Sequence, residues 1–291
     1  MKNIKDIIDF LRCQKIIEDG IEYIGINSGT TNAVLYILYL NKKPKYVVKI
    51  DKPYLISSTV EFLQIYKEVR LLPDVVYKDV NKGFAIYSYI PGETHNYLSC
   101  SKLEWMAILI KELFNKYRRV ERRVKWGRIH GISRDSWSEF NIKSLEMAQS
   151  NIGVLLPYEE HKRVEILVDK LKTYENPEEK YYLHGDTGVH NFVYDRSELQ
   201  GVIDPSPLIG PKIYDFTYAF CSSPDSLNLS TLLSSFALMT QDTPITKERL
   251  IDEFIFQLYT RIGVCIKVHA HDLSGYIEAW DKLKKYLPDI Q

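Results

Sequence analysis

Apolar and polar positions alternate over Ile21-Glu22-Tyr23-Ile24. A β-rich apolar run follows from Ala33 to Leu40, then Tyr46-Val47-Val48-Lys49-Ile50. This period of two predicts strands, separated by turns at Gly25 to Thr31 and Asn41 to Pro44. Phe62, Ile65, Tyr66 and Val69 then share one side of a helix expected from about Ser58 to Leu71. Val75-Val76-Tyr77 and Phe84 to Tyr89 predict two further strands before Pro91-Gly92 breaks the pattern. A small sheet with one helix is therefore expected over residues 1–92.

Residues 93–291 change period and read as mainly helical. Ser101-Lys102-Leu103-Glu104 has the spacing of a capping box, in which hydroxyl and carboxylate satisfy free backbone N–H groups. Leu103, Met106, Ile110, Leu113, Tyr117 and Val120 recur behind it at helical spacing. Further helices are expected around Val164 to Leu171, Leu232 to Met239, Leu250 to Ile266 and Tyr276 to Tyr286.

With 291 residues, 45% of them hydrophobic and 26% charged, the chain can bury two sizeable cores. No apolar run is long enough to span a bilayer, and the charged N-terminus is unlike a signal peptide. The four cysteines form no Cys-x-x-Cys pair, which argues against a zinc site or disulfide framework and fits a reducing cytoplasm. Net charge is zero, but residues 184–291 hold 9 basic and 14 acidic side chains, a surplus that Mg²⁺ or a cationic acceptor could offset. The acidic candidates there are Asp225, Asp252, Glu253 and Asp272. The basic run Lys116 to Arg128 reads as a solvated helix C-terminus rather than a nucleic-acid patch, since no aromatic stacking pattern accompanies it.

The chemistry concentrates in His184-Gly185-Asp186-Thr187-Gly188-Val189-His190-Asn191 and in Ile203-Asp204-Pro205. Phosphoryl transfer needs a carboxylate to orient a substrate hydroxyl and oxygen ligands that hold Mg²⁺ against a polyphosphate. Asp186, Asn191 and Asp204 supply that set on loops between expected strands. His184 and His190 lack zinc-type spacing and read as structural. Lys49 ends an apolar strand, and an ion pair to Glu61 on the next helix would aim its ammonium at phosphates. The turn at Gly25 to Asn32 is small enough for close phosphate approach, but it is not a Gly-x-x-x-x-Gly-Lys loop.

Taken together, these motifs make the chain resemble the aminoglycoside phosphotransferase and choline kinase-like family. His-Gly-Asp-x-x-x-x-Asn matches residues 184–191, and the following Ile-Asp, Gly and Tyr-Asp-Phe match Ile203-Asp204, Gly210 and Tyr214-Asp215-Phe216. The Ser-Gly-x-x-Asn loop matches Ser28-Gly29-Thr30-Thr31-Asn32, and the hinge matches Tyr87-Ser88-Tyr89-Ile90-Pro91-Gly92. The resemblance implies an α+β, bilobed protein-kinase-like fold, with an N-terminal antiparallel sheet lobe (1–92) and a mainly helical C-terminal lobe (93–291). It implies Asp186 as catalytic base and Asn191 and Asp204 as Mg²⁺ ligands. Ser28, Gly29, Thr30, Asn32, Lys49 and Glu61 would serve the phosphates, and backbone groups at Ser88 and Ile90 the base. Asp215 would organise the loop from below. Tyr87 falls where a bulky side chain would narrow the purine site, so ATP or GTP is the expected donor.

The expected activity is transfer of a γ-phosphoryl to a small-molecule hydroxyl, first an aminoglycoside-type antibiotic, and hence antibiotic resistance. Choline, a sugar or another metabolite is the alternative acceptor. A protein kinase ranks lower because Pro205 to Ile213 is short for a peptide-docking segment. A non-catalytic binding protein ranks lower because Lys49, Asp186, Asn191 and Asp204 are all present. No nucleic-acid or membrane partner is expected.

Overall fold

The computed structural model describes residues 3–26, 33–94 and 100–290. Strands β1 (Glu22–Ile26), β2 (Val34–Leu40), β3 (Lys43–Ile50), β4 (Val75–Asp79) and β5 (Phe84–Ser88) form an antiparallel sheet in the order β1-β2-β3-β5-β4. Directly paired residues share a face, and faces alternate along each strand. Val47 opposes Tyr87 and Lys49 opposes Ala85, so these four side chains share one face. Val48 opposes Ile86 and Ile50 opposes Phe84 on the other.

That second face is covered by α1 (Ile4–Cys13), an element with no counterpart in the expected order. Asn3 caps the helix by accepting from the Lys5 N–H, and Ile4, Ile7, Ile8 and Leu11 fall at i, i+3, i+4 and i+7. They pack with Leu38, Val48, Phe84 and Ile86 into a separate small core.

The next helix, α2 (Pro53–Ile65), starts five residues earlier than its apolar spacing suggests and ends at Ile65 rather than Leu71. Pro53 explains the start: its fixed φ and missing N–H suit the first helical turn. Ile56, Val60, Phe62 and Leu63 face the main core, while Glu61 is exposed.

After β5 the chain leaves the sheet, and β6 (Glu93–Thr94) pairs with β9 (Phe192–Asp195), which also pairs with β10 (Glu198–Val202). The capping box at Ser101 and Glu104 forms reciprocally and opens α3 (Lys102–Glu112). Met106, Ile110, Leu113 and Tyr117 are buried as expected, but the face is wider and shifted at its start: Leu103 is exposed, whereas Lys102, Trp105 and Leu109 are inside. Lys102 tolerates burial because its ammonium donates to the Phe220 and Ser223 carbonyls.

The basic run is also not a helix end. Past Glu112 the chain is drawn along β8 (Tyr181–Leu183), with Val120 N–H donating to Lys180 O and Tyr182 N–H to Arg118 O. Arg119, Arg122, Arg123 and Lys125 lie in surface ion pairs with Asp242, Glu178, Glu121 and Asp135. The run ends in β7 (Gly127–Arg128), which pairs with β11 (Leu208–Gly210) beside β8.

The remaining helices are α4 (Trp137–Ile152), α5 (Tyr158–Leu171), α6 (Lys212–Phe220), α7 (Leu229–Phe236), α8 (Lys247–Val268) and α9 (Leu273–Leu283). α4 and α8 pack closely where Gly263 meets Ala148; a Cβ on Gly263 would lie 2.9 Å from the Ala148 Cα. No helix among the described residues is long and apolar enough to cross a membrane.

Candidate active site

The His184-Gly185-Asp186 turn leaves β8 and is bolted to the fold from three sides. Gly185 has φ +78°, and an added Cβ would lie 2.2 Å from the Ser206 carbonyl oxygen. Only glycine fits there without shifting the backbone. Its N–H donates to both Asp215 carboxylate oxygens at 3.2 and 3.1 Å, and its carbonyl accepts from Arg128 Nη1 at 2.8 Å. Arg128 Nη1 also donates to Ser206 O at 2.6 Å, tying the turn to the segment after Asp204.

Asp215, on α6, is fully buried; the Tyr117 hydroxyl donates to it at 2.6 Å, and Thr187 Oγ1 donates to its carbonyl. Burial raises the carboxyl to about 6, against the opposing pull of Tyr117 and Gly185. Asp215 therefore supports the loop from below, as the resemblance implied. His184 is also buried, which pushes its imidazole down to about 4, so it is neutral at pH 7. Its Nδ1 accepts from the Asp186 N–H, and its ring meets Phe62 of α2 edge-on.

Asp186 is held at both oxygens. Tyr218 Oη donates to Oδ1 at 2.8 Å and Asn191 Nδ2 to Oδ2 at 3.0 Å, with His190 Nε2 3.5 Å from Oδ2. Burial works against its charge but is outweighed by His190 and Tyr218, and the carboxyl is lowered to about 2. Asn191 uses its amide nitrogen for Asp186 and carries no hydrogen bond on its oxygen among the described residues.

Asp204 follows β10 in a left-handed conformation, φ +56°, which is uncommon for a non-glycine residue. Its carboxylate pairs with Lys49 across the cleft. The expected Lys49–Glu61 ion pair is not formed among the described residues. The early start of α2 carries Glu61 past its second turn and onto the exposed side. Ser28, Gly29, Thr30 and Asn32 lie outside the described residues. Ser88 ends β5 with its N–H donating to Asp74 O, and Ile90 follows just beyond the sheet. Tyr87 shares the Lys49 face, is buried, and its hydroxyl has no hydrogen-bond partner among the described residues.

Beside Asp186 opens a cavity of about 790 Å³ between α4, α6, α8 and the 128–134 segment. Tyr218 and Arg128 line it, so its inner wall is the support of the His184-Gly185-Asp186 turn itself. The acidic candidates do not form a cradle there. Asp225 and Asp272 are not among its lining residues, and Asp252 is engaged by Lys170 at 2.8 Å and by the Tyr174 hydroxyl. Glu253 lines the cavity but faces Arg249 at 3.7 Å, and burial raises it to about 7. Sequence reasoning missed Arg128, Tyr218 and Tyr117. Tyr218 stands one helical turn after Asp215, the nearest thing to a sequence signal.

No family model and no curated protein matches the sequence. Solved structures do match over nearly the whole chain. Choline kinase LicA from Streptococcus pneumoniae is 15% identical with a TM-score of 0.59, covering 98% of this chain and 99% of its own. The ADP-bound aminoglycoside phosphotransferase APH(2'')-Ib is 19% identical with a TM-score of 0.58, covering 97% of each chain. Choline kinase from Cryptosporidium parvum Iowa II is 14% identical with a TM-score of 0.61, covering 98% of this chain and 95% of its own. At such identity the likeness is one of fold: a bilobed, protein-kinase-like architecture shared with aminoglycoside phosphotransferases and choline kinases.

Proposed function

We propose that the chain is a small-molecule kinase that transfers the γ-phosphoryl of ATP or GTP to a substrate hydroxyl. The observation that carries this is the convergence of Lys49, Asp186, Asn191 and Asp204 on one cleft, with an open cavity lined by Tyr218, whose hydroxyl holds Asp186. The fold neighbours support it, since one of them is the ternary complex of a thermostable aminoglycoside phosphotransferase APH(4)-Ia mutant with AMP-PNP and hygromycin B.

In this reading the acceptor hydroxyl donates a hydrogen bond to Asp186. A carboxylate lowered to about 2 is a weak base, so Asp186 acts mainly by orientation and takes the proton late, as the acceptor oxygen bonds to the γ-phosphorus. The bond from that phosphorus to the β-bridging oxygen breaks, and its electron pair leaves with the nucleoside diphosphate. Lys49 releases Asp204 and binds phosphate oxygens. Backbone groups at Ser88 and Ile90 receive the base, and the resemblance assigns Ser28, Gly29, Thr30 and Asn32 to the phosphates. Asn191 Oδ1 and the Asp204 carboxylate are hard oxygen donors that suit Mg²⁺, which supplies charge neutralisation on the polyphosphate when bound. No cluster of three His, Cys, Asp or Glu side chains is found among the described residues, so Asn191 and Asp204 would hold the ion together with oxygens from the bound nucleotide and solvent. Tyr87 narrows the purine site and keeps GTP among the donors.

A peptide acceptor is disfavoured by β11. The short segment between Asp204 and α6 is pinned as the central strand between β7 and β8, leaving little chain to form a peptide-docking surface. The test is a phosphorylation screen with ATP and GTP over aminoglycosides, choline, sugars and other metabolites, run beside Asp186→Asn. Loss of transfer in the variant supports the assignment; undiminished transfer refutes it.

A further inference from the structure

If the cavity beside Asp186 is the acceptor site of the proposed kinase, its charges say what kind of acceptor it takes. Three arginines line it: Arg128, Arg134 and Arg261. None has a carboxylate partner among the described residues. Arg128 bonds only the Gly185 and Ser206 carbonyls, and Arg134 bonds the Ile132 carbonyl while lying over the Phe140 ring. Arg261 bonds the Tyr276 hydroxyl and the Ser222 carbonyl. Of the two acids of the lining, Glu146 pairs with Lys143, also in the lining, at 2.8 Å, and Glu253 lies 3.7 Å from an Arg249 that Glu179 already holds at 2.7 Å, so four lining cations face two carboxylates. The uncompensated charge is therefore positive. A polycationic amino sugar entering this space would meet three guanidinium groups; Arg128 is offset by the nearby Asp186 and Asp215, whereas an anion would find Arg134 and Arg261 with no carboxylate bonded to them. Phe140, Tyr214 and Tyr218 add apolar and aromatic walls, and Trp137 stacks on Phe140 at 4.4 Å.

We infer that the acceptor is a hydroxyl compound carrying an anionic group, a carboxylate or phosphate, on an aromatic or otherwise apolar body. The anion is held by Arg134 and Arg261 on the cavity wall, while the hydroxyl turns toward Asp186. Arg128 stays committed to the loop carbonyls and adds field rather than a contact.

Two probes of the same shape and opposite charge isolate this feature: 4-(hydroxymethyl)benzoate and 4-(hydroxymethyl)benzylamine. Their binding to the full chain is measured by titration calorimetry without nucleotide, followed by their phosphorylation with ATP or GTP and Mg²⁺. The benzoate is expected to bind at least about tenfold more tightly than the amine, with Arg134→Glu abolishing the difference and Arg134→Lys retaining most of it. Equal binding, tighter binding of the amine, or no benzoate binding by about 10 mM overturns the inference. Transfer that prefers the amine, kanamycin or choline also overturns it while leaving the kinase reading intact. Anion preference with no transfer to any acceptor sinks the kinase reading and leaves the cavity's preference standing.

Discussion

The proposed donor side and the proposed acceptor side of the cleft are built in opposite ways. Asp186, Asn191 and Asp204 lie within nineteen positions on two adjoining loops, and Lys49 is the one distant member. The cavity is assembled from α4, α6, α8 and the 128–134 segment, and its charged residues span more than half of the C-terminal portion. In the proposed kinase the donor side would always hold the same polyphosphate, so its residue types and spacing are constrained by one chemistry. The acceptor side answers to whatever molecule it holds, and its code exists only after helices pack. A composition-level surplus of acid in residues 184–291 says nothing about the cavity, because Asp252 and Glu253 are turned to Lys170 and Arg249.

The largest effect should come from the donor side. Asp186→Asn is expected to cut kcat by roughly 10² or more for every acceptor, because orientation and proton transfer both depend on it. A loss confined to one acceptor class would instead place Asp186 in recognition, and steady-state rates over the panel decide. Gly185→Ala comes next: its Cβ would meet the Ser206 carbonyl at 2.2 Å in a left-handed backbone. Unfolding in urea should show a loss of about 3 kcal/mol or more, with the turn displaced from Asp186 geometry. Native stability in that variant would mean the turn is looser than its contacts imply.

Leu11→Ala probes the α1 core, which touches neither side. A stability loss of roughly 2–4 kcal/mol is expected with kcat/KM preserved in the folded protein; a selective loss of nucleotide affinity would show that the sheet's outer face controls the cleft. Tyr218→Phe sharpens the comparison where the two sides share a residue. It removes one hydrogen bond to the Asp186 carboxylate and part of the cavity wall polarity. A kcat decrease of about tenfold with a smaller change in KM is expected; a change in KM alone would assign Tyr218 to the acceptor.

The smallest effect is a pH trend. Asp215 is raised from 3.8 to about 6 in the fold, so the native state binds the extra proton between those values. Its contribution favours folding at low pH and is lost as pH rises through about 6. Asp186 has the opposite sign: its carboxyl is lowered from 3.8 to about 2, and its contribution is present above 3.8 and lost as pH falls. The Tm of Asp215→Asn, relative to the unmutated chain, should rise from about pH 4 to about pH 7; a flat difference would show that Asp215 is ionised throughout.

How much of this was legible follows the same division. The sheet strands, the capping box at Ser101 and the loops that carry Asp186, Asn191 and Asp204 are readable because period and turn chemistry are local. Helix α1 is also written in Ile4, Ile7, Ile8 and Leu11, but the charges between them mask the face until a sheet supplies its partner. The first turn of α3 misleads because Lys102 is buried on two carbonyls and Leu103 is exposed, a swap that only tertiary contacts explain. Arg128 sits at the end of a run of solvated cations and differs from them only in pointing at Gly185 and Ser206. Nothing in the spacing of that run distinguishes it.

Transfer of a labelled γ-phosphoryl from ATP and from GTP to the acceptor panel, for the unmutated chain and Asp186→Asn in parallel, tests the central claim most directly. The account predicts Mg²⁺-dependent labelling of a small hydroxyl compound, lost by roughly 10² or more in the variant. Labelling that survives in Asp186→Asn, or no labelling of any acceptor with either nucleotide, contradicts it.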